Sequence, residues 1–192
     1  MRNIVFATNN KHKLFEVQNI LGSTFSLKSL ADIGFDEDIP EDFDTLDQNA
    51  SQKAWHIYNR YKIDCFADDT GLEVDALGGE PGVYSARYAG EQKKPYDNIL
   101  KLLRNLKDKS NRGAQFRTVV ALIINGVEYR FEGIVRGKII DKLLGEEGFG
   151  YDPIFVPDGY TQTFAEMDLN LKNRISHRGL AIAQLANFLL QQ

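Results

Sequence analysis

Two adjacent aspartates, Asp68 and Asp69, stand in the stretch CFADDTGLEVDALGG (Cys65–Gly79), where an apolar lead-in and strand-like alternation carry the chain into a core. Burying a carboxylate is costly unless it is paired, hydrogen-bonded or bound to a cation. Successive strand residues point to opposite faces, so Asp68 shares parity with Thr70, Leu72 and Val74, and Asp69 with Gly71, Glu73 and Asp75. The polar parity assigns Asp69 to a cleft and Asp68 to a supporting position held by neighbouring hydrogen bonds. The alternative is that both cap a turn before Gly71.

Other segments offer partners for such a carboxylate. In TNNKHK (Thr8–Lys13), between a predicted strand and helix, unpaired N–H groups at a helix N-terminus attract anions. Thr8 and Asn10 add hydrogen bonds there and Lys13 adds a full charge, a set suited to a polyphosphate, although the P-loop pattern is missing. In the acidic loop DEDIPEDFD (Asp36–Asp44), one carboxylate could share a divalent cation with Asp69, because Mg²⁺ needs only one or two carboxylates beside substrate phosphate oxygens. In GFGYDPIF (Gly148–Phe155), glycines let the backbone approach a flat ring, Phe149 could stack on it, and the backbone and Asp152 could bond its edge. KNRISHRG (Lys172–Gly179) gathers Lys172, His177 and Arg178 around a helix start. The plain alternatives are, in turn, a solvated polar loop, a solvated charge run, a turn with core aromatics and a surface His-Arg pair. Neither His12 nor His56 has metal-ligand spacing to His177 or Cys65, so no zinc site is expected.

These segments need elements to position them. NIVFAT (Asn3–Thr8) reads as a buried strand and TFSLKSL as a second. Between them Leu14, Val17 and Leu21 fall at helical spacing, with Gly22 as the stop. Thr45 and Gln48 have capping-box spacing ahead of a helix whose face is Ala50, Ala54, Ile57 and Tyr61. GGEPGVYSARYAGE reads as a surface loop, and Ile99, Leu102, Leu103 and Leu106 mark a third helix with Pro95 in its first turn. Asn125-Gly126 predicts a type I′ hairpin between two β-rich arms. A glycine-punctuated loop then flanks a short strand, and a closing helix starts at Ser176 as N-cap. The expected fold is one α/β domain over residues 1–192, with a long mixed central sheet flanked by helices.

Composition narrows the function. The 192 residues are 43% hydrophobic and 26% charged, enough for a packed core. A formal charge of −4 argues against a broad nucleic-acid or membrane surface, while leaving room for an anionic small ligand. The single cysteine, Cys65, forms no internal disulfide, reads as a small buried apolar side chain, and fits a cytoplasmic setting. No stretch approaches a membrane span, and MRNIVFATNN lacks a long apolar signal segment.

Taken in order, FATNNKHK, NASQKA, ADDTGLEVDALGGEPGVYSARYAG, GFGYDPIF and ISHRG resemble the inosine/xanthosine triphosphate pyrophosphatase family, also called Ham1-like, over nearly the whole chain. That resemblance implies two lobes with a cleft between them, a homodimer, and Mg²⁺-assisted hydrolysis of non-standard purine nucleoside triphosphates to monophosphate and pyrophosphate. It implies that Thr8, Asn10 and Lys13 hold the phosphates, with Asn9, Lys11 and His12 contributing backbone N–H groups. Lys53 would point at the phosphate chain, Asp69 would be the catalytic carboxylate and metal ligand, and Glu41 would help hold the metal, with Glu37 and Asp42 as alternatives. Thr70 matches a position usually Ser or Thr. Phe149, Gly150, Tyr151, Asp152, Lys172, His177 and Arg178 match the base-recognition residues. Purine selection would rest on donors, Arg178 among them, that accept a six-position carbonyl and reject an amino group. The competing readings are a pyrophosphatase for other modified nucleotides and a non-catalytic purine-nucleotide-binding module.

Overall fold

The computed structural model describes residues 2–191. The chain opens with β1 (Arg2–Phe6), whose Ile4, Val5 and Phe6 are buried. α1 (Lys11–Leu21) follows; Asn10 caps it, and Gly22, with φ +60°, ends it by donating its N–H to the Gln18 carbonyl. β2 (Phe25–Lys28) precedes a long irregular stretch. α2 (Leu46–Tyr61) buries Leu46, Asn49, Ala50, Lys53, Ala54 and Ile57. At its start Thr45 Oγ1 accepts the Gln48 N–H at 3.2 Å, and its hydroxyl donates to Gln48 Oε1 at 2.9 Å. The expected capping box is thus modified: the Gln48 side chain closes on the Thr45 hydroxyl.

β3 (Cys65–Val74) runs unbroken through both aspartates, so they do not cap a turn. β4 (Pro81–Gly82), α3 (Pro95–Asn105), β5 (Gly113–Ile124), β6 (Val127–Ile139) and β7 (Phe155–Pro157) follow. Asn125 and Gly126 both have positive φ, +50° and +77°, as the type I′ turn between β5 and β6 demands. Two short stretches differ from expectation. Residues 79–90 do not lie loose on the surface: β4 pairs antiparallel with β3, and Ser85 and Tyr88 are buried. The sequence reading also missed α4 (Leu169–Ile175), whose first turn is capped by the Asp168 carboxylate on the Asn170 and Leu171 N–H groups. Ser176, expected as a simple N-cap, sits in extended geometry between α4 and α5 (His177–Leu190) and donates its N–H to the Lys172 carbonyl.

Among the described residues the sheet has seven strands, in the order β2-β1-β3-β5-β6-β7 with β4 on β3. β1 is parallel to β2 and β3, whereas β4 and β7 are antiparallel to β3 and β6, so the fold is α/β with a mixed sheet. Two compact units form. The first contains the chain up to Asp69, Thr118–Gly133 and the chain from Arg178. Its core is Ile4, Phe6, Val17, Phe66, Val120, Leu122, Ile182 and Leu185, with Phe6 and Phe66 stacked at 4.5 Å. The second contains Thr70–Arg117 and Ile134–His177, around Leu72, Leu102, Phe116, Ile154, Phe155 and Phe164. Each such side chain contributes about 1.5–3 kcal/mol on full burial. β3, β5 and β6 each begin in one unit and end in the other; in β3 the boundary falls directly after Asp69. Among the described residues no helix is long and apolar enough to cross a membrane.

Cys65 is fully buried, and its Sγ donates to the Ala54 carbonyl at 3.3 Å. Burial, with the nearby Asp64 charge, pushes its thiol up to about 12. Folding therefore favours the neutral thiol, a contribution fully present below the free-thiol pKa of about 8.5 and lost as the pH rises toward the folded value. Iodoacetamide at pH 8 should leave the native protein at its unmodified mass and add one carbamidomethyl group after unfolding in urea. Rapid alkylation of the native protein would show an open thiol.

Candidate active site

The first unit assembles most of the expected polar residues around β3. Asp68 and Asp69 point to different partners, as their strand parity requires. Asp68 Oδ1 accepts from Lys13 Nζ at 2.7 Å, and its Oδ2 accepts from Arg178 Nε at 3.3 Å. Asp69 Oδ1 accepts from Lys53 Nζ at 2.9 Å, and the same ammonium donates to Glu41 Oε1 at 2.6 Å. Asp69 is 7% exposed, and its Oδ2 is buried without a hydrogen-bond partner among the described residues.

This geometry sets the protonation states. Burial alone would raise the Asp68 carboxyl, but the charges of Lys13, Arg178 and Lys53 outweigh it and hold the group well below the usual carboxylate range. Asp69 lies the other way: burial pushes it up, Glu41 adds to that, and Lys53 and Lys13 only partly offset it. Burial would lower the Lys53 ammonium, yet Asp69, Glu41 and Asp68 together raise it. Lys13 is lowered by burial and by the cations of Lys53 and Arg178, against Asp68 and Asp69. Asp68 is thus the carboxylate held toward its ionised form. Asp69 is the carboxylate with an unused oxygen, and its charge is the one a further cation would stabilise most.

The loop before α1 is more committed than its sequence suggests. Asn10 Oδ1 accepts the N–H groups of His12 at 2.9 Å and Lys13 at 3.2 Å, and Thr8 Oγ1 accepts from the Asn10 N–H at 3.2 Å. The His12 N–H, expected to face phosphate, is therefore already used by the helix cap. Asn9, Lys11 and His12 have exposed side chains, and Asn9 Nδ2 donates to the Glu37 carbonyl at 3.5 Å. Thr8 is half-buried. Of the alternatives to Glu41, Glu37 pairs with Arg60 and Asp42 with Gln52, which leaves Glu41 as the acidic-loop carboxylate on Lys53.

Arg178, expected among the base-recognition residues, follows His177 directly and opens the last segment of the first unit. It is buried in the first unit, with Nη1 donating to Glu16 Oε2 at 2.5 Å and Nε to Asp68. Burial would lower its guanidinium, but Glu16 and Asp68 raise it. In this geometry it pairs with two buried carboxylates. The sequence reading did not single out Glu16. The signal was available: it adjoins Val17 on the buried stripe of α1 and lies one turn after Lys13, so its carboxylate had to find a buried cation.

The second unit holds the expected base-recognition segment. Gly148 and Gly150 have φ of +76° and +64°, and a Cβ at Gly148 would collide with the Asp152 carboxylate. Asp152 Oδ2 accepts the Phe149 N–H at 2.8 Å and Lys172 Nζ at 2.7 Å. Lys172 Nζ also lies 5.5 Å from the Phe149 ring centroid. His177 stacks on Phe116 at 4.5 Å, the rings 11° from parallel. Tyr151 corrects the expectation: its ring is in the core, its hydroxyl donates to the Ser85 carbonyl at 2.9 Å, and burial raises its phenol. Its side chain therefore anchors the segment from behind. Thr70, half-buried in β3, is the first residue of this unit.

The fold is α/β, one unit gathering buried lysines and carboxylates and the other setting a lysine–aspartate pair beside an aromatic ring. The chain belongs to the Ham1 family, whose model matches residues 4–188. A Flavobacterium johnsoniae protein named dITP/XTP pyrophosphatase is 54% identical over 186 residues, 97% of each chain. One of the same name from Porphyromonas gingivalis is 52% identical over 191 residues, covering 99% of this chain and 98% of its own. The solved structure of a HAM1 protein from Coxiella burnetii superposes with a TM-score of 0.91 at 37% identity over 100% of both chains.

Removing one member of a buried ion pair strands the other, at a cost of about 3–5 kcal/mol. Glu16→Ala should therefore lower the unfolding free energy by about 3 kcal/mol, read as a lower urea midpoint at unchanged m-value, and Glu16→Gln, which keeps an acceptor, should lose less. Equal stability of Glu16→Ala and wild type would show that Arg178 does not depend on Glu16.

Proposed function

We propose that this chain hydrolyses non-standard purine nucleoside triphosphates such as ITP, dITP and XTP to the monophosphate and pyrophosphate, removing them from the nucleotide pool. The observation that carries this reading is Lys53, whose ammonium is shared by Asp69 and Glu41, with one Asp69 oxygen left unused. The relatives' printed names supply the substrate class.

A triphosphate carries about four negative charges and would be repelled by Asp69 unless cations intervene. Asp69 and Glu41 offer hard oxygen donors, and the unused Oδ2 is the atom a divalent ion would take, so the residues fit Mg²⁺. Among the described residues no group of three or more His, Cys, Asp or Glu is arranged to hold a metal, which matches a sparse site completed by phosphate oxygens. When bound, Mg²⁺ supplies charge neutralisation and polarisation of the phosphorus. Asp69 would orient or deprotonate the water that attacks the α-phosphorus. Lys13 and Lys53 bind the leaving pyrophosphate, and Thr8 and Asn10 hold the loop that presents Lys13.

For the base, Phe149 supplies a stacking face and Lys172 a buried donor toward a six-position carbonyl. An adenine amino group would present a donor to that ammonium, where a carbonyl would accept from it. Gly150, Asp152 and His177 shape this side of the reading. Arg178 enters it by keeping Asp68 ionised. We extend the proposal to a cytoplasmic homodimer, whose mass light scattering would report.

Pyrophosphate release from ITP, XTP, dITP, GTP and ATP, with and without Mg²⁺, tests the reading. It predicts Mg²⁺-dependent turnover of the first three and a loss of at least about 100-fold in Asp69→Asn with the fold retained. Equal rates on all five, or near-wild-type activity of the variant, would reject it; binding without turnover would favour a nucleotide-binding module.

A further inference from the structure

Glu41 stands in residues 36–45, which form neither helix nor strand. Its side chain is 32% exposed, and Phe43 beside it is 43% exposed, so the segment is not held by its own burial. Ordering such a stretch costs conformational entropy, and an unheld loop would let Glu41 wander from Lys53. Arg60 of α2 pairs with Glu37, and two α2 amides hold the part of the segment next to Glu41. Asn49, 1% exposed, accepts the Phe43 N–H with Oδ1 and donates Nδ2 to the Phe43 carbonyl, both at 3.0 Å. One amide thereby satisfies both backbone groups of a loop residue, as a neighbouring strand would. Gln52 repeats the pattern one position closer to Glu41: its Oε1 accepts the Asp42 N–H at 3.0 Å, and its Nε2 donates to Asp42 Oδ2 at 2.6 Å. Lys53, next in sequence, then reaches Glu41 itself.

We propose that Asn49 and Gln52 are positioning residues that fix the acidic loop so that Glu41 meets Lys53 and Asp69, and that they thereby set the affinity of the site for its divalent cation. This rests on the functional reading above for the cation, but not for the clamp. The amides touch neither the cation nor the substrate; they act through the backbone at 42 and 43. Partners of metal-binding carboxylates typically change metal affinity by about 10–100-fold when removed.

The test uses full-length wild type, Asn49→Ala and Gln52→Ala. In EDTA, the glutamate-specific protease Glu-C should cut after Glu37 and Glu41 about tenfold faster in the variants, because a released loop opens locally. The Mg²⁺ concentration for half-maximal pyrophosphate release from ITP should rise about tenfold, with the deficit shrinking as Mg²⁺ is raised. Gln52 makes exposed bonds, so Gln52→Ala carries the test if Asn49→Ala fails to fold. Cleavage rates and Mg²⁺ half-saturation within about twofold of wild type in the folded variants would overturn the proposal. A wild-type enzyme without Mg²⁺-dependent release would instead reject the functional reading, while the cleavage rates would still decide the clamp.

Discussion

Lys53 places one positive charge between two carboxylates, Glu41 at 2.6 Å and Asp69 at 2.9 Å, in a setting where water screens little. At an effective dielectric near 20, two unit charges about 4 Å apart interact by about 4 kcal/mol. Without the ammonium the two acids would repel one another, and burial would press Asp69 further toward its neutral form. With it, they are held together and one oxygen of Asp69 remains available. The neighbouring array, Lys13, Asp68, Arg178 and Glu16, repeats the device with its oxygens and nitrogens more fully used. The two arrays differ in their spare capacity. The Asp68 array ties β3 to α1 through Lys13, and among the described residues the Asp69 array keeps one carboxylate oxygen unpaired.

The backbone makes that arrangement possible. A strand presents Asp68 and Asp69 to opposite faces, so two adjacent acids acquire different cations and opposite proton affinities. Beyond Asp69, Gly71 lets β4 approach closely: a Cβ there would lie 2.6 Å from the Gly82 carbonyl oxygen. Ser85 then ties the returning segment to β3 through the Leu72 N–H at 2.9 Å. In the second unit the same logic governs Gly148, where only hydrogen leaves space for the Asp152 carboxylate that pairs with Lys172.

Most of the architecture was legible because it rests on local rules. The Asn125-Gly126 turn, the Gly22 stop and the Ala50–Ala54–Ile57 face each follow from one period or one φ requirement. What escaped depended on partners distant in sequence. Pro81–Gly82 reads as turn residues and becomes a strand only because β3 lies beside it. Arg178 reads as a free donor, yet Glu16, 162 residues away, claims it. Asn49 and Gln52 look like ordinary helix polar residues; only the folded loop shows that their amides grip its backbone. Tyr151 could not be assigned to ring or core from its neighbours, because both Phe149 and Ile154 flank it.

The most direct measurement of the central claim is a crystal structure with Mg²⁺ and a non-hydrolysable α,β-imido analogue of ITP. The account predicts a cation on Asp69 Oδ2, polyphosphate oxygens on Lys13 and Lys53, and Lys53 still within reach of Glu41. A cation bound away from Asp69, or phosphates that leave both lysines paired only with their carboxylates, would contradict it.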